Sequence, residues 1–173
     1  MKRQIEGIAW RMLFFCLYVA ALPFSAQAGY TEFRMGEPAV VVSDNEPTKV
    51  TIARNSVLVP AKLQYRGNDV EIRLLLDTGA SKTMINADIA DKLSIDLAQG
   101  KKFKVQVIGG AMIDAHLVKI NSLHVGPHVR RDMDVFVVPH KGPAVEYDGL
   151  LGMDVLRGLK YRVDFKKKII VWE

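Results

Sequence analysis

The chain has 173 residues, 49% apolar and 25% charged, which fits one globular domain with terminal additions and excludes a disordered polymer. Its net charge of +5 is too small and too scattered for a nucleic-acid interface. The single cysteine is Cys16, so everything after it lacks a thiol for disulfides, Cys-based zinc sites or thiol catalysis.

Lys2, Arg3 and Arg11 lead into an uncharged run from Met12 to Phe24, 13 residues long. A membrane-crossing helix needs about 20 residues. Ser25-Ala26-Gln27-Ala28 then offers small residues where a signal peptidase reads. Residues 1–28 therefore read as a secretory signal, cleaved after Ala28, which sends the chain to the periplasm or outside the cell. Membrane association is expected only if this leader stays uncleaved. Phe14 and Phe15 stand before Cys16 where a lipid-attachment signal has small residues. The leader holds three of the 24 basic and one of the 19 acidic residues, so the remainder carries 21 and 18, a net of +3.

Residues 29–55 form a polar N-terminal extension with two short strand candidates, Ala39–Val42 and Lys49–Ile52. From Ser56 the pattern becomes strand after strand separated by turn residues. Val57–Tyr65 and Val70–Leu76 flank the turn Arg66-Gly67-Asn68-Asp69, a hairpin signal. Thr83–Ile85 is a short apolar strand. Asn86 follows as a helix N-cap, with Ile89, Ala90 and Leu93 on one helical face. Phe103, Val105 and Val107 alternate with Lys102, Lys104 and Gln106, and Gly109-Gly110 turns the chain into Met112–Ile120. Ser122–Val125, the Gly126-Pro127 turn and Val129–Val138 add strands, and Lys141–Pro143 is loop. Gly152–Leu159 reads as a short helix with Asp154 in its first turn, where negative charge suits the helix dipole. Tyr161–Phe165 and Ile169–Trp172 close the chain as a hairpin around Lys166-Lys167-Lys168. The fold class is all-β, with two short helices.

Chemistry concentrates in Leu74-Leu75-Leu76-Asp77-Thr78-Gly79-Ala80-Ser81. An apolar strand runs straight into a carboxylate, whose desolvation must be offset by hydrogen bonds. Gly79 lets the backbone fold close enough to aim an N–H at Asp77. A second segment, Asp148 to Leu156, brings Leu150-Leu151-Gly152 into the last helix, as suits a backbone passing close beside another loop. Asp-Thr-Gly alone is a common turn tripeptide.

Taken in order, the strand into Asp77-Thr78-Gly79-Ala80, the helix, the glycine-tipped hairpin and Leu150-Leu151-Gly152 before a final helix resemble the retropepsin family. These are single-domain aspartic proteases of the retroviral type, some of them exported bacterial proteins. The resemblance spans residues 56–173 and implies a closed β-barrel of the acid-protease kind and aspartic endopeptidase activity on a peptide or protein substrate. It implies that Asp77 is the catalytic aspartate within the loop Thr78, Gly79, Ala80 and Ser81. It makes Gly109 and Gly110 the flap tip, and Leu150, Leu151 and Gly152 the motif behind the catalytic loop. No cofactor and no metal are implied. Retroviral members carry an acidic residue at the place of Ser81 and a basic one at that of Met153, and pair them; this chain has neither.

Such chemistry needs two carboxylates sharing a proton. With one Asp-Thr-Gly per chain, a two-fold homodimer is expected. Asp154, in a helical first turn, and Asp164, before the lysine turn, lack a flanking glycine and make poorer second carboxylates. His124 and His128 flank a turn rather than share a helix face, so they do not read as a metal pair. His116 and His140 read as surface residues, and Tyr161 and Trp172 as packed in the terminal sheet. The competing expectation is a non-catalytic periplasmic β-domain that binds an extended peptide by strand addition. A third is a zymogen-like state in which residues 29–55 cover the cleft.

Overall fold

The computed structural model describes residues 40–42, 46–107, 109–139 and 145–173. The expected signal sequence, His140, Ile108, the 141–143 loop and part of residues 29–55 lie outside this set. In chain order the elements are Val40–Val42 (β1), Thr48–Lys49 (β2), Thr51–Ala53 (β3), Ser56–Tyr65 (β4), Asn68–Leu76 (β5), Met84–Asn86 (β6) and the helix Ala87–Lys92 (α1). After a 3-10 turn at Leu97–Gln99 come Lys101–Gln106 (β7), Met112–Lys119 (β8), Ser122–Val125 (β9), His128–Arg131 (β10), Asp134–Val138 (β11) and Gly149–Leu151 (β12). Met153–Leu156 (α2), Tyr161–Asp164 (β13) and Ile169–Trp172 (β14) complete the chain.

The main sheet runs β1-β10-β9-β4-β5-β12-β6-β11-β8-β7, with β3 added against β4; β13, β14 and β2 form a second sheet. Strand alternation builds the core. On β5, Ile72 and Leu74 are buried while Glu71 and Arg73 face solvent. Leu63, Leu74, Ile85, Ile89, Leu93, Leu123, Leu151 and Ile170 are completely or almost completely buried, each contributing roughly 1.5–3 kcal/mol. The hairpin of β4 and β5 holds its register from Leu58 opposite Leu75 to Tyr65 opposite Asn68.

The all-β architecture is present, but the expected closed barrel is not: the sheet is open, ending at β1 on one side and β7 on the other. Closure requires the two end strands to pair. β7 is exposed along almost its whole length and, among the described residues, pairs only with β8. Local boundaries differ for identifiable reasons. The run Val129–Val138 divides at Asp132, whose backbone turns left-handed at φ 50 and whose N–H donates to the Asn121 carbonyl. Lys49–Ile52 divides at Val50, which is buried and donates its N–H to the Lys168 carbonyl. Asn86 occupies the N-cap position of α1, yet its side chain reaches the Tyr147 carbonyl at 3.4 Å instead of capping. The last helix spans four residues, shorter than the run Gly152–Leu159.

Residues 40–42, 48–49 and 51–53 are built into the sheets. β1 pairs with β10, β2 with β14 and β3 with β4. The Trp172 Nε1–H donates to Thr48 Oγ1 at 2.8 Å. For these residues a cover over the cleft is replaced by strand pairing within the domain.

His128 is buried beside Trp172, with ring centroids 4.8 Å apart and an edge-on arrangement. Neither ring nitrogen has a hydrogen-bond partner among the described residues. Burial pushes its pKa below the ordinary imidazole value, and the neighbouring Arg130 charge adds to this. The unfolded chain then binds the proton more readily than the folded one, so stability rises with pH in this window. His128's contribution is complete above about pH 6.5 and is lost as pH falls through its depressed folded value. His124, lowered by burial and then by Arg131 and Lys62, acts in the same direction. Urea midpoints measured near pH 7.5 and near pH 5 should fall less in a His128→Gln chain than in wild type. An equal fall in both would remove His128 from the account.

Candidate active site

The site is assembled where β12 slides between β5 and β6. It runs parallel to β5, with Leu151 opposite Leu76, and antiparallel to β6, with Leu150 opposite Met84. This close passage explains the glycines of the second segment. A Cβ on Gly149 would collide with the Met84 carbonyl, and one on Gly152 would lie 2.5 Å from the Lys82 carbonyl carbon.

Asp77 follows directly from β5. Its N–H donates to the Leu151 carbonyl at 3.1 Å, extending the ladder by one residue. The chain then turns, with Ala80 N–H donating to the Asp77 carbonyl at 3.2 Å. Inside that turn the Gly79 N–H donates to Asp77 Oδ1 at 2.9 Å, the bond expected from the sequence. A side chain at Gly79 would place its Cβ 3.2 Å from the same oxygen. Asp77 is half-buried, Thr78, Gly79 and Ser81 are exposed, and Ala80 is buried.

A set of hydrogen bonds fixes this loop to the second segment. The Met153 N–H donates to the Ala80 carbonyl at 2.8 Å. Thr83 donates from its N–H at 2.9 Å and its hydroxyl at 2.8 Å to Asp154 Oδ1. Gly152 N–H donates back to Thr83 Oγ1 at 3.2 Å. Asp77, Thr78, Gly79, Ala80 and Ser81 are thus brought together with Leu150, Leu151 and Gly152. Gly109 and Gly110 lie apart from this network, at the tip of the β7–β8 hairpin, with φ 92 and φ 84. Phe103 braces that hairpin edge-on against Phe136, with ring centroids 5.7 Å apart.

Ser81 and Met153 form no ion pair; Ser81 is exposed and Met153 packs against the core. One residue further along each segment, Lys82 Nζ lies 3.9 Å from Asp154 Oδ2. The polarity is reversed relative to the retroviral pair. Sequence reasoning passed over Lys82 and Thr83; the available signal was their place directly after the Asp-Thr-Gly loop.

The two other candidate acids have structural partners: Asp154 holds Thr83 within this network, and Asp164 Oδ1 accepts the Lys167 N–H at 2.8 Å to close the lysine turn. His124 lies opposite Val129 and His128 opposite Val125, so strand alternation sends the two rings to opposite faces. Among the described residues, no three His, Cys, Asp or Glu side chains gather as a metal site.

Comparison with known proteins agrees with this geometry. A family model described as aspartyl protease matches residues 59–155, more than half of the chain. No functionally curated protein matches the sequence. A solved structure, a retropepsin-like aspartic protease from Rickettsia conorii, is similar over 74% of this chain and 100% of its own, with 24% identity and a TM-score of 0.54. At that identity the likeness concerns the fold. The family-model match makes the chain a member of the aspartyl protease family, and its fold is retropepsin-like.

Proposed function

We propose that two copies of this chain form an aspartic endopeptidase, each contributing one Asp77 to a shared centre. The observation that carries this reading is the Asp77 turn. One carboxylate oxygen is held by the Gly79 N–H, and the backbone on either side is fixed by Leu151 and Ala80. The carboxylate is half-buried and the loop residues next to it are exposed, so a partner loop can approach.

In the dimer, two carboxylates about 3 Å apart cannot both ionise and share one proton. The ionised member takes a proton from a bound water, whose oxygen attacks the peptide carbonyl. The neutral member hydrogen-bonds the developing oxyanion. As the tetrahedral intermediate collapses, the C–N bond breaks and a proton passes to the leaving nitrogen. The titration belongs to the pair rather than to either residue. Thr78 hydroxyls from the two loops bond across the two-fold axis, and the Gly109-Gly110 hairpins close over an extended peptide. Residues 1–28 direct the chain to the periplasm or beyond, with cleavage after Ala28.

The test is a peptide-library digest by the purified exported chain beside its Asp77→Asn variant, across acidic to neutral pH. Cleavage by wild type alone supports the reading. No cleavage by either, or equal cleavage by both, overturns it.

A further inference from the structure

Asp154 sits in the first turn of α2, where a dipole effect would explain it, but its carboxylate is used differently. Among the described residues its hydrogen bonds go to Thr83 rather than to its own helix. Thr83 is completely buried, and every polar group it has is committed. Its N–H and hydroxyl donate to Asp154 Oδ1, its hydroxyl oxygen accepts from Gly152 N–H, and its carbonyl accepts from Phe136 N–H at 3.1 Å. An ionised acceptor makes the first two bonds charge-assisted, roughly twice as strong as neutral ones.

The other oxygen, Oδ2, is buried without a hydrogen bond among the described residues. The nearby cation is Lys82, on the segment leading out of the Asp77 turn. One carboxylate therefore grips two consecutive residues of that segment. The turn is otherwise tied at Leu151 and at Met153, on either side of the Gly152 that donates to Thr83.

We propose that Asp154 is a positioning residue that sets the Asp77 carboxylate in its working geometry through Thr83. This rests on Asp77 being the catalytic carboxylate. Displacing a reacting group by about 1 Å costs on the order of 100-fold in rate, whereas a substrate held along an extended cleft is bound by many other contacts. Loss of the grip should fall on kcat and spare KM.

The experiment uses a quenched fluorogenic peptide taken from the library digest, with active sites titrated by a statine-type transition-state analogue. Asp154→Ala and Thr83→Val should each lower kcat per titrated site by about 10- to 100-fold, with KM within about threefold. The double variant should lose less than the product of the two single losses, because the hydroxyl–carboxylate bond is removed by both changes. Asp154→Asn, which keeps an oxygen acceptor, should recover most of the loss. Thr83→Val preserves side-chain shape and carries the test if Asp154→Ala does not fold. Normal kcat per titrated site in Thr83→Val or Asp154→Ala would reduce Asp154 to a stabilising residue and overturn the proposal. Additive losses, or an Asp154→Asn chain no better than Asp154→Ala, would do the same. Hydrolysis surviving in Asp77→Asn would undo the reading of Asp77; an inactive Asp77→Asn beside a fully active Asp154→Ala undoes only this proposal.

Discussion

A chain carrying Asp77→Asn should fold as the wild type does and hydrolyse peptides at least roughly 1,000-fold more slowly. The amide keeps an oxygen of the same size to accept the Gly79 N–H, now 2.9 Å from Oδ1. The backbone bonds of Asp77 to Leu151 and Ala80 do not involve the side chain at all. What the amide cannot do is accept a proton from water. General-base action alone contributes roughly 100- to 10,000-fold, and the proposed dyad has no second route to its nucleophile. Circular dichroism and the urea midpoint should be close to wild type while initial rates collapse. A slow variant with a shifted midpoint would instead assign Asp77 a structural role.

Starting the chain at Ser56 should abolish the stable fold rather than activate the enzyme. That change removes β2 and β3, which pair with β14 and β4, and Val50, which is buried in the core. Losing the Val50 side chain costs roughly 1.5–3 kcal/mol, and losing the Thr48 acceptor of Trp172 about 1 kcal/mol. Uncovering one edge of β4 adds an aggregation-prone strand. Against a typical total of about 5–15 kcal/mol, the shortened chain should show a thermal transition lowered by many degrees, or none. A truncated chain as stable as the full one, and faster at hydrolysis, would restore the idea of a removable cover.

The candidate site was the most legible part of the sequence because its constraints are local. Leu74 to Leu76 running into Asp77, and Gly79 two residues on, specify a strand end and a tight turn without help from elsewhere. Leu150-Leu151-Gly152 was legible through its glycine as a close backbone passage, but the partner that requires it, Lys82, was not. Contacts between distant segments were not legible. Thr83 and Asp154 are 71 positions apart, and nothing in either local pattern couples them; Asp154 read as a helix-dipole residue. His128 read as a turn flank, whereas its burial comes from Trp172 at the far end of the chain. Closure of the barrel failed as an inference because it depends on whether two end strands meet. Alternation of Phe103 and Val105 with Lys102 and Lys104 describes a strand and says nothing about what lies on its far side. The division at Asp132 is a single left-handed residue in a run of good strand formers, invisible to periodicity.

Subunit mixing probes the shared centre most directly. Wild-type chains, co-refolded with a large excess of Asp77→Asn chains, should exchange into mixed pairs holding one carboxylate and one amide. Activity per wild-type chain should fall to about half at equal mixing and toward zero in excess, since random pairing leaves few wild-type pairs. Activity per wild-type chain that stays constant at every ratio would mean that a single subunit carries the whole reaction.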